Sequence, residues 1–507
     1  MPDEYFPWIR AILSASAAGL VYLSRPFLSK LLFLFLAVAG LWAFTNFGRF
    51  HTPLNEKIHY WDSFHYFLGA KYFDELHYSG LYSSAVIAGK EQGVFGTVAS
   101  FRDQRSYKVL PVALIDPTKV MSRFTPERWR EFKHDVLFFV RQSGRPDEAW
   151  QRLFLDHGYN APPLKSKIMS FILNAAQLSE GFLNFIVAID YFLMLALIVS
   201  ASLFLGAGPA MLCTSAFSLN ALAPFDFTFG SVLRYDWYLF LGMALIALSK
   251  RRDALSGVLF AVSTHCRIFP LMLTLPVALH LIKHKERLAK FLLGFLAAGV
   301  LGVIPALFSP SGVSLYFEFA EKMQVHREQV YSNTIGMKQL ALIDTLSLTE
   351  DPAPTAQAEI ARRIKQRSEA AEGLGILFAL CALIAAIAGK CLLSVVITGC
   401  FLVFTLIGPV NYYYAFLAFL PLIAWADDRP VGRAICAMVF LAFFLLHLAQ
   451  YYFSSLLSQS VVSSFIVFAL LLVAQVLLLR REGEADTGSI EAFSRSAKKQ
   501  PQDQRPS

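Results

Sequence analysis

Charge is scarce in this sequence. Asp, Glu, Lys and Arg make up 16% of its 507 residues against 56% apolar residues, where a soluble domain carries roughly a quarter charged residues. The shortage argues against an ordinary water-soluble enzyme. The chain has no Gly-x-x-x-x-Gly-Lys-Ser/Thr loop, no His-Glu-x-x-His pair and no Gly-x-Ser-x-Gly elbow, which argues against an ATP-driven pump, a zinc protease and a typical serine hydrolase. Cysteines are few. Cys213, Cys266, Cys381, Cys391, Cys400 and Cys436 sit in or beside apolar runs without metal-type spacing, so neither a structural disulfide nor a zinc site is expected. No basic run carries the aromatic interleaving of a single-strand nucleic-acid binder. No cleavable leader is expected either: Phe6–Leu23 is amphipathic and no small-residue cleavage site precedes a mature domain. Trp8, Arg10 and Arg25 suit a helix lying on the membrane surface.

What the chain has is a series of apolar runs, each near the roughly 20 residues needed to cross a bilayer. The first clear run is 31–47, and others lie near 183–205, 209–223, 235–249, 254–266, 269–282, 288–308, 373–389, 391–407, 411–425, 433–453 and 461–479. The expected fold is therefore an all-α polytopic membrane protein of about 12 transmembrane helices. Two long polar stretches, 48–180 and 309–372, interrupt the series, and the first contains helix-like segments at 61–76 and 125–143. The net charge of +8 comes mainly from short basic clusters beside the runs: Lys250, Arg251 and Arg252; Lys283, Lys285, Arg287 and Lys290; then Lys390, Arg429, Arg433, Arg480 and Arg481. Alternate threading puts all of these on one side, which makes that side cytoplasmic. Both polar stretches then become extracytoplasmic loops. The expected organisation is an N-terminal cytoplasmic or interfacial helix over 1–30, a membrane domain over 31–480 and a disordered, polar cytoplasmic tail over 481–507.

The reactive residues share a side. Asp62, Asp156, Asn160, Arg234, Asp236, Arg267, Asn333 and Asn411 all fall in, or at the ends of, segments placed outside the cytoplasm. Chemistry there has no direct access to soluble ATP or nucleotide-sugars, and a lipid-carried donor is the natural substitute. Asp62 lies in His59-Tyr60-Trp61-Asp62-Ser63-Phe64-His65-Tyr66. In a regular helix Asp62, His65 and Tyr66 would share one face. A carboxylate among aromatic rings at a membrane surface suits proton abstraction; a solvated loop acid or helix cap fits the same position. The turn Asp156-His157-Gly158-Tyr159-Asn160-Ala161-Pro162-Pro163 makes Asn160 either a sugar contact or part of a packed turn. In Arg234-Tyr235-Asp236-Trp237, the two charges form a positioning pair, or Arg234 meets a phosphate; flanking Tyr and Trp also fit an aromatic belt. Arg267, in His265-Cys266-Arg267-Ile268-Phe269-Pro270, lies between two apolar runs, where a cation needs an ion pair or an anionic ligand. Asn333, preceded by His326 and Arg327, and Asn411 with Tyr412, Tyr413 and Tyr414 offer amide and aromatic contacts for a sugar. Asp190 is the one acid well inside a span.

In order, the Asp-bearing aromatic segment with its following Gly80-Leu81-Tyr82, then Asn160-Ala161-Pro162-Pro163, Arg267-Ile268-Phe269-Pro270, Ser332-Asn333-Thr334-Ile335-Gly336-Met337-Lys338 and Tyr412-Tyr413-Tyr414-Ala415 resemble polytopic glycosyltransferases of the GT-C superfamily. The nearest group is the polyprenyl-phosphate-mannose-dependent mannosyltransferases of family 87 and their bacterial relatives, over about residues 30–425. The resemblance implies a sugar, a hexose such as mannose or a pentose, moved with inversion from a polyprenyl phosphate to a glycolipid or glycan acceptor of the cell envelope. It implies a multi-pass protein of the bacterial inner membrane with its site facing the periplasm. Asp62 matches the catalytic base of the family, and Arg267 and His326 match residues that hold the donor phosphate. Many members carry a paired acid in the first loop; here position 63 is serine, so no divalent metal or other cofactor is expected. Arg234, His65, Asp236, Asn160, Asn333, Asn411 and Tyr413 complete the expected substrate-binding set. Two other readings stay open: a transporter or flippase for a lipid-linked or anionic solute, which broken helices also suit, and a polymerase or ligase of lipid-linked glycans.

Overall fold

The computed structural model describes residues 5–23, 28–50, 57–308, 311–328, 332–344, 354–389, 391–426 and 430–497. The described chain is overwhelmingly helical. Its membrane-type helices are α1 (Phe6–Leu23) and α2 (Leu28–Phe44), then, after an outer segment that contains α3 (Pro126–Ser143) and α4 (Pro163–Leu173), α5 (Glu180–Leu205), α6 (Ala207–Ser218), α7 (Asp236–Ser249), α8 (Asp253–Cys266), α9 (Leu271–Leu281) and α10 (Lys285–Leu307). A second outer piece holds α11 (Ser314–Glu328). It is followed by α12 (Pro354–Ala388), α13 (Leu392–Leu402), a short helical pair Asn411–Ala418 and Phe419–Ala426, α14 (Pro430–Tyr452) and α15 (Leu456–Ala497). Six helices among the described residues are long and apolar enough to cross a membrane, and several shorter apolar helices pack among them. Their outward faces carry bare Phe185, Phe192, Leu293, Leu301 and Ile384, a surface suited to lipid tails rather than water.

Where helices touch most closely, glycine removes the obstacle. A Cβ on Gly257 of α8 would sit 2.1 Å from the Phe291 carbonyl oxygen of α10, and one on Gly294 of α10 would sit 2.1 Å from that of Ala254. Close backbone approach of this kind is a main source of helix association in lipid.

The first polar stretch is more than a connection. Residues 57–187 build their own core around Phe64, Phe67, Phe139, Trp150 and Phe154, distinct from the core of the membrane helices. Ionic contacts are buried inside it: the Lys71 ammonium lies 2.7 Å from both Asp135 and Glu131, and the Tyr72 hydroxyl donates to Asp135 at 2.8 Å. The helix expected at 125–143 forms as Pro126–Ser143, with the Thr125 hydroxyl accepting the Arg128 N–H and a proline in the first turn. One two-stranded antiparallel ribbon, Ser100–Arg102 against Val109–Pro111, departs from the all-α expectation.

Three expected boundaries change. Helix α1 is long and apolar enough to cross a membrane and is packed into the bundle. It packs along α14 and α2, with the Phe6 and Phe47 rings 4.7 Å apart, the Trp8 and Tyr451 rings 4.6 Å apart, and Arg10 donating to the Ala43 carbonyl at the far end of α2. Its start therefore stands at the same end of the bundle as the Asp62 segment. Arg10 reads as interfacial in sequence because nothing local reveals that carbonyl. The second change is in 309–372, where residues from Pro354 onward already belong to the continuous helix α12. The third is at the C-terminus, where the backbone of 481–497 continues α15 instead of forming an irregular tail, while 498–507 lie outside the described residues.

Candidate functional site

The site begins with a backbone lock between two segments far apart in sequence. The His59 N–H donates to the Gly230 carbonyl at 2.7 Å, and the Ser63 hydroxyl donates to the same oxygen at 3.3 Å. Gly230 has φ +79°, and a Cβ there would lie 2.3 Å from the Lys57 carbonyl oxygen. Only glycine allows this approach. The lock lays residues 231–235 against the helical turn Tyr60–Ser63, which carries Asp62. The Ser231 hydroxyl donates to Asp62 Oδ2, and Arg234 Nη2 donates to Asp62 Oδ1 at 3.0 Å. Asp62 is 8% exposed and Arg234 6%.

After Asp62 the helix widens into a π turn, Phe64–Leu68. Such turns shift the register of the side chains that follow and recur at functional sites. The common face expected for Asp62, His65 and Tyr66 is thereby divided. The buried His65 ring turns to the Tyr82 hydroxyl, 2.7 Å away, and burial holds its pKa below the usual value. Tyr66 instead stands between two arginines: its ring centroid is 5.3 Å from the Arg234 guanidinium and 5.0 Å from that of Arg267, and its hydroxyl donates to Asn160 Oδ1 at 2.6 Å.

Arg267 occupies the break between α8 and α9, in extended conformation. It is 4% exposed, and among the described residues none of its three guanidinium nitrogens has a hydrogen-bond partner; Arg234 Nε and Nη1 have none either. Aromatic faces flank the remaining charge, Tyr412 at 4.5 Å from Arg234 and Tyr413 at 5.9 Å from Arg267, and the Asp236 carboxylate acts on Arg267 through space. A buried guanidinium whose N–H donors lack partners is costly, and the five unmatched donor nitrogens on the two arginines about Tyr66 suit an oxyanion. Beyond Arg267 opens a cavity of about 350 Å³ lined by Asn160, Phe319, Met323, His326, Phe404 and Tyr413, among others. Ile268, Ile376 and Ile407 at its edge are outwardly exposed, so the cavity meets the lipid-facing surface. Helix α11 forms one wall. Its opposite face, with Glu318, Glu321 and Lys322, lines a polar cleft of about 720 Å³.

Other expected site residues hold different places. Asp236 does not pair with Arg234. It binds Lys165, whose ammonium lies 2.8 Å away and also donates to the Leu233 carbonyl. His326 lines the cavity but accepts or donates through Nδ1 to the Tyr107 hydroxyl at 3.0 Å, and burial, with His157 and Lys322 nearby, pushes its pKa down to about 3. It is a neutral imidazole at pH 7 and not a cation for a phosphate. Asn333 and Asn411 meet through the backbone, the Asn411 N–H donating to the Asn333 carbonyl at 2.8 Å, and the Asn411 side chain caps the following N–H. They tie the 332–335 segment to the start of the 411–418 helix rather than line the cavity. Asp156 takes the Trp61 indole N–H at 2.6 Å. Burial works against its charge, but hydrogen bonds from His157 and Trp61 hold its carboxyl well below the ordinary range. Tyr66, Tyr412, Ser231 and Lys165 complete the cluster.

No family model matches the chain, no curated protein matches it and no solved structure matches it.

Proposed function

We propose that this protein is a GT-C-type membrane glycosyltransferase, similar to the family 87 mannosyltransferases, which moves a hexose or pentose from a polyprenyl phosphate to an envelope acceptor. The observation that carries the reading is the contact of Asp62 with Arg234, joined through the Tyr66 ring to Arg267, whose unpartnered guanidinium lines a largely apolar cavity. Inverting transfer needs a base for the acceptor hydroxyl and positive charge for the leaving group. Asp62 takes the proton of the acceptor hydroxyl while that oxygen bonds to the anomeric carbon. The bond from the anomeric carbon to the phosphate oxygen breaks, its electron pair stays on the polyprenyl phosphate, and Arg267 with Arg234 stabilises that charge. Arg234 touches both partners, so the leaving-group charge and the base are electrically linked.

The apolar cavity suits the first isoprene units of the donor, and the polar cleft across α11 suits the soluble part of the acceptor. Six helices long and apolar enough to cross a membrane, with the shorter apolar helices among them, support a polytopic bundle of the expected kind. The basic loop clusters then face the cytoplasm and the Asp62 side faces the periplasm of a bacterial inner membrane.

The test is direct. Purified protein in nanodiscs, given a polyprenyl-phosphate hexose and envelope glycolipid extract, should yield a glycolipid heavier by one hexose in mass spectrometry. The break at Arg267 also suits a transporter of an anionic or lipid-linked solute. Flux of intact donor across proteoliposomes, with no new glycosidic bond, would establish that reading instead.

A further inference from the structure

Asp190 is a buried acid inside the membrane-type helix α5, yet the transfer chemistry above does not use it. It lies on α5, ten positions after the first residue of that helix, and is fully buried. Both of its oxygens are committed to one turn. Oδ2 accepts the Arg234 backbone N–H at 2.8 Å and Oδ1 accepts the Tyr235 N–H at 3.0 Å. The same turn is held from the opposite polarity. The Lys165 ammonium takes the Leu233 carbonyl at 2.6 Å and pins Asp236, at the start of α7, through an ion pair. Between the two anchors Leu233 has φ +47°, a left-handed conformation that a branched side chain adopts only where its surroundings impose it. The side chains of Asp190 on α5 and Lys165 on α4 thus fix the two successive peptide units that flank Arg234.

The cost of burying Asp190 needs a return elsewhere. An acid inside a membrane-type helix is expensive, and an ordinary backbone turn would not need it. A guanidinium that must touch Asp62 on one edge and keep its other donors open for an anion tolerates little displacement, because bidentate contacts are lost over a fraction of an ångström. We infer that Asp190 and Lys165 are positioning residues that clamp the 233–235 turn and so aim Arg234 at the anion held beside Arg267. The inference rests on the anion-site reading of the two arginines and adds to it the part of the chain that makes the site rigid.

A double-mutant cycle tests this. The probe is farnesyl phosphate, a short polyprenyl phosphate that carries no sugar, titrated against the full-length protein in nanodiscs. Asp190→Asn keeps the side chain's size but sets an amide donor against a backbone N–H. It should weaken farnesyl phosphate binding about tenfold, or ~1.4 kcal/mol. Arg234→Gln should weaken it at least as much, and the double variant should bind no worse than Arg234→Gln alone. Lys165→Met should show the same non-additivity with Arg234→Gln, and it carries the test if Asp190→Asn does not fold. Additive losses, or wild-type affinity in a folded Asp190→Asn or Lys165→Met, overturn the clamp. Failure of the wild-type protein to bind farnesyl phosphate removes the anion site itself, and the clamp with it. Normal coupling without sugar transfer would leave the clamp standing and overturn only the transferase reading.

Discussion

Arg234 Nη2 lies 3.0 Å from Asp62 Oδ1 although 172 residues separate them. The contact joins the outer segment to the loop before α7, and it makes one guanidinium the neighbour of both a candidate base and a candidate leaving-group site. Several measurable consequences follow from that shared position.

Arg267→Met should separate stability from function. The wild-type guanidinium is buried without a hydrogen-bond partner among the described residues, so an apolar side chain of similar length relieves a desolvation cost. The ligand-free variant should melt no lower than wild type in detergent, and higher by a few degrees where the cavity packs well. Farnesyl phosphate binding should fall by about a hundredfold, in the range of a lost charge-assisted contact. Lower stability together with unchanged binding would contradict this.

Ser231→Ala removes the hydroxyl that donates to Asp62 Oδ2. Asp62 keeps its ion pair, so binding of the donor should change little. The single-turnover transfer rate should fall about fivefold, the effect of one hydrogen bond worth ~1 kcal/mol in orienting the carboxylate. Equal losses in binding and rate would point to a collapse of the loop instead.

Ile376→Trp places bulk at the exposed edge of the 350 Å³ cavity. A lipid tail entering there makes the effect depend on chain length. Affinity for a long polyprenyl phosphate should drop severalfold, while inorganic phosphate should inhibit as it does in the wild type. A uniform effect on both probes would place the tail elsewhere.

His326 supplies a pH signature. Its folded pKa of about 3 lies below the ordinary 6.5, so the unfolded chain takes up the proton first as pH falls. Stability from the neutral, buried ring is complete above pH 6.5 and is lost as pH falls toward 3, by at most about 1.4 kcal/mol per pH unit for one proton. His326→Phe should therefore flatten the decline of melting temperature between pH 7 and pH 5. An unchanged slope would mean the ring is already charged or solvated.

The parts of the site that were legible in the sequence share a physical reason. An ionisable residue beside an apolar run is expensive, so Asp62, Arg234, Arg267 and Asp190 stand out without any structure. Their partners did not, because pairing is a property of the fold. Asp236 sits two positions from Arg234 but binds Lys165, and Ser231 meets Asp62 across 169 residues. The π turn at Phe64–Leu68 has no periodic signal in so short a segment, and it sends His65 away from the face it would occupy in a regular helix. His326 shows the converse: a basic residue type is legible, but its charge depends on burial. At the fold level, hydrophobic runs marked the helices, with 61–76 and 125–143 visible as helical pieces. The end of the bundle at which α1 begins is set by long-range contacts, among them Phe6 with Phe47 and Arg10 with the Ala43 carbonyl, for which composition offers no cue.

Asp62→Asn is the decisive substitution, measured as single-turnover sugar transfer from a polyprenyl-phosphate hexose alongside binding of farnesyl phosphate. An amide keeps the shape and one acceptor toward Arg234 but cannot take the acceptor's proton, so transfer should fall by at least about a hundredfold while the variant still binds farnesyl phosphate. Transfer at the wild-type rate by the folded variant would contradict the role of Asp62 as the base.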